Sequence, residues 1–319
     1  MKTIEKKILV TGATGKVGHA FTEAFLADPN QKGTLRALCH KRSLTPNDRL
    51  EVMHGSISDH TTVQKAVKDI THVIHLATPK EDAETIMDVA IKGLFWLLES
   101  CRKSGSFKRF ILIGGDASVG HYFYPHKNPI TEEQDFTAYP GCYALSKVLE
   151  ETMLRQYFVQ YDLDGTCLRA PWIMQGDDLR RHLSFEKEVF GVPEWYKMVD
   201  AQTALEYQKE NKIPLMLDAN GNPMKRNMVH LNDLVSAMII ALDHKKAKQQ
   251  TFNIAMDRPF DYGKAADYLL DTQKVKSVKA ATDYHSTWLD NSKAKFLLGW
   301  QPKYGLEQML DDAWGDVTL

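Results

Sequence analysis

Residues 7–25 constrain this chain more than any other stretch. They begin within KKILV, residues 6–10, which ends in an apolar run rich in β-branched residues, as a buried strand would have. Three glycines follow at G-x-x-G-x-x-G spacing: Gly12, Gly15 and Gly18. Apolar residues at helical spacing come next, in HAFTEAF. A strand, a glycine turn and a helix can hold a diphosphate, because the backbone approaches the ligand and the helix N-terminus offers free N–H groups. The alternative is an ordinary strand-to-helix connection.

The composition excludes several classes of protein. Hydrophobic residues make up 43% of the 319 residues and charged residues 25%, as in an ordinary soluble globule. A formal net charge of −1 gives no electrostatic support for binding nucleic acid or an anionic membrane. The four cysteines are far apart, so we predict no metal site and no disulfide framework, but reduced thiols in a cytoplasmic protein. No apolar run approaches the roughly 18 residues of a membrane span.

Strand and helix patterns alternate through the first half. Strands are predicted at 34–39, 51–54, 71–77 and 109–113, and from 166, and the clearest helices at 84–102 and 142–161. Ser58 or Asp59 could cap a helix that runs to about residue 68. This alternation predicts an α/β fold, a Rossmann-type doubly wound parallel sheet with its ligand over the carboxyl ends of the strands.

The second half is less regular. Residues 175–226 are rich in charge and aromatics, and they are followed by a predicted strand at 229–231, a helix at 232–243 and a strand at 250–255. The tail from 261 has a helical pattern with one break around 278–281. We predict a dinucleotide-binding domain of residues 1–171 plus about 227–257. A smaller C-terminal substrate-binding cap would comprise about 172–226 plus 258–319.

Tyr143 and Lys147 are the candidate catalytic pair. They stand four residues apart in YALSK, on one face of the predicted helix. A lysine ammonium beside a phenol lowers the pKa of the tyrosine. Such a phenol can take a proton from a secondary alcohol while hydride leaves the same carbon. A pair at this spacing also arises by chance, so its place after the fifth strand is the stronger argument.

Six motifs together resemble the extended short-chain dehydrogenase/reductases, the NAD-dependent epimerase/dehydratase family. They occur in order: TGATGKVG at 11–18, HLAT at 75–78, YALSK at 143–147, LRAP at 168–171, RNMVHLNDL at 226–234 and DNSKAKFLLGW at 290–300. The resemblance implies an NAD(P)-binding Rossmann domain, with Tyr143 as acid/base and with Lys147 lowering its pKa and holding the nicotinamide ribose. It also implies a homodimer through two helices, the one before Arg102 and the one that carries Tyr143.

The resemblance extends the set of cofactor contacts. At the glycine turn and the other strand ends the predicted contacts are Gly12, Thr14, Gly15, Lys16, Val17, Gly18, His40, Arg42, Ser56, Ile57, Leu76, Ala77, Thr78, Ile113, Tyr143, Lys147, Ala170 and Ile173. Cys39 stands where an acid would accept the ribose hydroxyls of NAD, and His40, Lys41 and Arg42 follow it. This favours NADP over NAD, although a basic run is also typical of a solvated loop.

The chain departs from the family where a Ser or Thr usually follows strand five. Gly115 takes that position, and the nearest polar side chains are Asp116 and Ser118. We predict Asp116 as a substrate contact, and Ser118 as a catalytic hydroxyl and substrate contact. The alternative for Ser118 is a loop hydroxyl that caps its own backbone.

The predicted substrate is a small carbohydrate: a sugar, polyol or sugar acid. Arg226 matches an arginine that holds the diphosphate of nucleotide-sugars, but a second arginine is missing and Ile173 replaces the usual Asn. Trp172 is a predicted substrate contact, because aromatics can stack on a sugar. Other candidates, which could equally be core or surface residues, are Trp195, Tyr196, Trp288, His121 and His126.

The sequence therefore predicts an NAD(P)-dependent oxidoreductase or epimerase that acts on a secondary alcohol of a carbohydrate. Dehydrogenase and epimerase use the same residues, so both stay open. Arg226 favours a nucleotide-sugar epimerase or dehydratase as one alternative. The missing hydroxyl at Gly115 favours another, a non-catalytic NAD(P)-binding regulator, but the intact Tyr143–Lys147 pair argues against it.

Overall fold

A computed structural model describes residues 5–127, 129–186 and 199–315. Its strands are β1 Lys6–Thr11, β2 Gly33–Cys39, β3 Leu50–His54, β4 His72–His75, β5 Arg109–Gly115, β6 Gly165–Ala170, β7 Trp172–Met174, β8 Ile213–Leu217, β9 Lys225–Arg226, β10 Met228–His230, β11 Gln250–Asn253, β12 Phe260–Asp261 and β13 Ser277–Ala281. Seven of them form one parallel sheet in the order β11-β6-β5-β4-β1-β2-β3. The predicted doubly wound α/β fold is confirmed.

The α-helices are α1 Lys16–Ala27, α2 His60–Val67, α3 Gly93–Lys103, α4 Cys142–Tyr161, α5 Asp177–His182, α6 Ala201–Lys209, α7 Leu231–Asp243, α8 Tyr262–Gln273, α9 Ser292–Leu298 and α10 Leu306–Trp314. Helices α1 and α7 pack on one face of the sheet, and α2, α3 and α4 pack on the other. Both faces are therefore covered, as a parallel sheet requires. Asp59 caps α2 as predicted, since its carboxylate accepts hydrogen bonds from Thr61 N and Thr62 N.

A second, smaller core lies beside the sheet. It is built around Met216, Phe260, Leu269 and Leu310, from β8, β12, α8 and α10. The division into two domains stays a prediction, but helix α9, which was assigned to the cap, packs elsewhere. Helix α9 packs on the first core, where Trp300 just after it donates its indole N–H to a carbonyl of α7, and not on the cap core.

Two element predictions differ from the structure. The helix expected at 84–102 begins with a π-helical segment, Met87–Lys92, and continues as α3. The break expected at 278–281 is strand β13, which pairs in parallel with β8. Strand β8 lies in the segment whose periodicity is weak, so the pairing is a long-range contact with no local signal. Within the described residues, no helix is long and apolar enough to cross a membrane.

Candidate functional site

The glycine turn between β1 and α1 forms a cradle that only glycine permits. Gly12 has a φ of +69°, and a Cβ there would lie 2.9 Å from the backbone nitrogen of Ala77. A Cβ on Gly18 would collide with the carbonyl oxygen of Gly12. No side chain caps the N-terminus of α1, so no capping side chain occupies its first backbone N–H groups. The turn therefore offers backbone donors to an anion.

An open groove of about 730 Å³ begins at this turn. Thr14, Gly15 and Lys16 line it together with Arg42 from the loop after β2. The Lys16 ammonium donates to the Ile173 carbonyl oxygen at 2.7 Å and reaches the Asp178 carboxylate at 2.8 Å, and so links the turn to β7 and α5. His40 is exposed and does not line this groove.

The other predicted cofactor contacts lie at or next to the carboxyl ends of the strands. Leu76, Ala77 and Thr78 follow β4, and the backbone N–H of Leu76 donates to the Thr11 hydroxyl at 3.2 Å. Ser56 and Ile57 follow β3, Ile113 lies in β5, and Ala170 ends β6. Val17 packs against the first core. Whether each of these touches a cofactor stays a prediction.

Tyr143 and Lys147 lie in the first turns of α4, with the Lys147 Nζ 5.5 Å from the centre of the Tyr143 ring. Burial raises the pKa of Tyr143, Lys147 lowers it, and Glu150 and Asp116 raise it; the net direction is upward. The lowering of the Tyr143 pKa by Lys147 agrees with the sequence argument. In the ligand-free protein, however, the desolvation of the phenolate outweighs the attraction of the ammonium.

A carboxylate that the sequence argument missed pairs with Lys147. Glu150 Oε2 lies 2.8 Å from the Lys147 Nζ, and both side chains are buried. Burial lowers the pKa of Lys147, but the charges of Glu150 and Tyr143 outweigh it and raise the pKa above its ordinary value. The i,i+3 spacing of Lys147 and Glu150 was the available signal. At the start of the helix, Glu81 accepts hydrogen bonds from the backbone N–H groups of Cys142 and Tyr143.

Ser118 lies in the loop after β5 and is completely buried. Its hydroxyl donates to the Gly115 carbonyl oxygen at 3.0 Å. A serine hydroxyl has one proton, so Ser118 has none to donate to a substrate in this conformation. Of the two interpretations offered for Ser118, this geometry favours the loop hydroxyl that caps its own backbone, and the catalytic role of Ser118 stays a prediction.

Asp116 joins a buried polar chain with His121 and Arg226. The Asp116 Oδ2 lies 2.8 Å from the His121 Nδ1, and the Arg226 guanidinium lies 3.2 Å from the His121 Nε2. Arginine can only donate, so Nε2 accepts and the proton of the neutral imidazole sits on Nδ1, facing Asp116. Burial lowers the pKa of His121 although Asp116 opposes the shift, which keeps the ring neutral.

Arg226 is completely buried between aromatic rings. Its guanidinium carbon lies 2.7 Å from the centre of the Trp172 ring and 4.1 Å from that of Tyr122. Arg226 and Trp172, both predicted as substrate contacts, therefore pack against each other. In this conformation the two rings cover the guanidinium, and its contact with a substrate stays a prediction.

The remaining sequence candidates lie elsewhere. Trp288 lines a separate groove of about 920 Å³, which Tyr143 does not line. His126 Nε2 donates to the His121 backbone carbonyl oxygen at 2.9 Å. Trp195 and Tyr196 lie outside the described residues. Among the residues that the structure describes, no three His, Cys, Asp or Glu side chains cluster as metal ligands would.

Comparison with known proteins gives consistent matches over nearly the whole chain. A family model described as "NAD dependent epimerase/dehydratase family" matches residues 8–255. UDP-glucose 4-epimerase of Neisseria meningitidis serogroup C is 26% identical, over 98% of this chain and 97% of that protein. Two solved structures share the fold at 21% identity. They are a short-chain dehydrogenase/reductase superfamily protein from Agrobacterium tumefaciens with bound NAD (TM-score 0.80, 96% and 95% of the chains) and the UDP-glucuronic acid 4-epimerase from Bacillus cereus with NAD (0.75, 97% and 97%).

Proposed function

We propose, from the premise that the chain belongs to the NAD-dependent epimerase/dehydratase family, that it moves hydride between a nicotinamide cofactor and a secondary alcohol of a small carbohydrate. The observation that carries this proposal is the pair formed by the half-buried Tyr143 and the buried Lys147 near the carboxyl ends of the sheet. The family assignment confirms the predicted resemblance, and the chain is accordingly an enzyme of the extended short-chain type. The carbohydrate, the coenzyme and the role of each residue belong to the proposal.

The residues around the glycine turn fit a dinucleotide. A Cβ on Gly12 or Gly18 would fill the cradle, so glycine at both positions leaves room for a ligand. The start of α1 has no side-chain cap and presents backbone N–H donors to that ligand. Gly15 and Thr14 would hold the diphosphate, and Lys147 the nicotinamide ribose. When bound, the nicotinamide supplies a hydride acceptor or donor. NAD is supported by the NAD that accompanies the two similar structures.

Tyr143 supplies the proton. In the ligand-free protein burial keeps its phenol protonated, which suits donation to a carbonyl as the carbon is reduced. In the oxidising direction the phenolate must form first, and the Lys147 ammonium favours it. An epimerase would use both directions in one turnover, and a dehydrogenase one direction.

Asp116 is the proposed contact to the substrate beside the reacting carbon. The His121 Nδ1 lies 2.8 Å from this carboxylate and would help to orient it. An ionised carboxylate only accepts hydrogen bonds, so Asp116 would select a substrate hydroxyl next to the carbon that reacts. A polyol, aldose or sugar acid offers such a hydroxyl, and the covered guanidinium of Arg226 argues against a diphosphate partner.

A nucleotide-sugar epimerase is the second candidate. It is favoured by the 26% identity to a UDP-glucose 4-epimerase over almost the full length of both chains. It requires Arg226 to leave its place between Trp172 and Tyr122, or another group to hold the diphosphate.

A cofactor-coupled screen separates these candidates. Purified protein is mixed with NAD+ or NADP+ and a panel of polyols, aldoses and uronic acids, and reduced nicotinamide is followed by its absorbance. UDP-glucose and UDP-glucuronic acid are incubated in parallel, and their epimers are separated by chromatography. Net reduction with one free carbohydrate class supports the proposal. Epimerisation of a UDP-sugar without net reduction supports the second candidate and contradicts the first.

Arg42 provides a test of the predicted preference for NADP. Its side chain lines the groove at the glycine turn, whereas the neighbouring Lys41 does not. If Arg42 binds the 2′-phosphate, Arg42→Ala should weaken NADPH binding about tenfold and leave NADH binding unchanged. Fluorescence titration with each reduced cofactor measures both constants. Lys41→Ala is the matched control, and equal losses for the two cofactors in Arg42→Ala would contradict the preference.

The homodimer stays a prediction, and the surface of the two helices supports it. Large apolar side chains are exposed on the π-helical segment, α3 and α4: Met87, Phe95, Leu145, Val159 and Tyr161. We expect Phe95→Glu to convert a dimer to a monomer, because a carboxylate would be buried in the interface. Phe296→Glu on α9 is the control, since that phenylalanine is also exposed but lies on another helix. Light scattering after gel filtration gives the masses, and a monomeric wild-type protein would refute the dimer.

A further inference from the structure

Two successive acids on the inner face of α4 have different partners. Glu151 pairs with Arg169 of β6 at 2.8 Å, inside the Rossmann core. Glu150 pairs instead with Lys147, one turn earlier on the same helix. The Glu150 side chain is 1% exposed, and its Oε1 has no hydrogen-bond partner among the described residues. Burial raises the pKa of Glu150, and the charge and hydrogen bond of Lys147 oppose that shift, so the carboxylate depends on this pair for its charge.

We propose that Glu150 is a positioning residue, which anchors the Lys147 ammonium and offsets its charge beside the Tyr143 phenol. The inference rests on the proposed Tyr143–Lys147 chemistry, but not on which substrate the enzyme takes. An ammonium carries three N–H donors, and one of them points at Glu150 Oε2 at 2.8 Å. Two donors remain for the diol of a ribose. The anchor therefore removes the rotational freedom of a long side chain before the cofactor arrives.

The Glu150 carboxylate also opposes the effect of the Lys147 charge on the pKa of Tyr143. Lys147 favours the phenolate and Glu150 disfavours it, so the pair acts on the phenol less than a lone ammonium would. The other charged or titratable groups around these two side chains come from several elements: Asp116 after β5, Tyr139 before α4, His75 on β4 and Cys167 on β6. None of them is a cation, so Lys147 is the only positive group in this set.

Glu150→Gln tests the inference without any substrate. The variant keeps the shape of the side chain and removes its charge. We expect the first ionisation of the coupled Tyr143–Lys147 pair to move down by about one pH unit or more, since the buried counter-charge is gone. NMR of protein labelled at the tyrosine ring and the lysine ε-carbon follows both groups across pH. Spectra of Tyr143→Phe and Lys147→Met identify the two signals.

Two further variants keep the test decisive. Glu99→Gln removes an acid of α3 that pairs with Arg102, and it should leave the two signals in place. Glu150→Asp keeps the charge but shortens the side chain by one methylene. We therefore expect the first ionisation of the Tyr143–Lys147 pair to move down by less than in Glu150→Gln. Glu150→Asp serves as the test if Glu150→Gln does not fold. An unchanged titration in the folded Glu150 variant overturns the inference. A failed substrate screen with the expected NMR shift would instead count against the proposed function alone.

Discussion

Tyr143→Phe is expected to lower kcat by about 10²–10⁴-fold, the contribution of one positioned acid or base. The substitution removes the phenolic oxygen and leaves the ring, so α4 and the contact of the ring with Lys147 should persist. Cofactor affinity should therefore stay within a few-fold of the wild-type value. Steady-state kinetics on the substrate found in the screen gives kcat, and fluorescence titration gives the dissociation constant of the reduced cofactor.

Tyr139→Phe is the matched control for this prediction. Tyr139 is a second phenol near the site, stacked on Phe123 with ring centres 4.6 Å apart, and burial raises its pKa. It has no lysine one turn away on a helix. We expect a much smaller loss of kcat in Tyr139→Phe than in Tyr143→Phe. Equal losses in the two variants, or full activity in Tyr143→Phe, would show that another group transfers the proton.

Glu151→Ala is expected to lower the free energy of unfolding by about 3–5 kcal/mol. Its carboxylate accepts from the Arg169 guanidinium at 2.8 Å, and both side chains are almost fully buried. Removing the acid leaves a buried arginine that, among the described residues, keeps a longer hydrogen bond to Asn253 at 3.4 Å and a more distant charge interaction with Glu132. Urea denaturation followed by circular dichroism measures the change.

An exposed ion pair provides the comparison for Glu151→Ala. Asp88 and Lys92 lie one turn apart on the π-helical segment, and both are largely exposed. Asp88→Ala should change the unfolding free energy little, because water already solvates both charges. A small effect in Glu151→Ala as well would mean that Arg169 finds another partner or that water reaches it. The Glu151 site would then not be a buried pair in solution.

Local patterns in the sequence determined the architecture and identified the candidate catalytic pair. The glycine spacing after β1 dictates a turn that no Cβ fits, and the alternation of strand and helix patterns dictates a parallel sheet. Asp59 as a helix cap follows from its neighbours alone. The i,i+4 spacing places Tyr143 and Lys147 on one helical face. Each of these features depends on residues that are close along the chain.

Only the tertiary structure decided which side chains meet across the chain. Nothing near Asp116 in sequence reveals that Arg226 lies beyond His121, or that Trp172 and Tyr122 cover that arginine. The pairing of β13 with β8 likewise joins segments about 60 residues apart, one of which has no clear periodicity. Whether Tyr143 holds its proton depends on burial, which the spacing of residues does not encode. Helical and turn geometry are short-range, whereas desolvation and charge pairing depend on what the whole fold brings together.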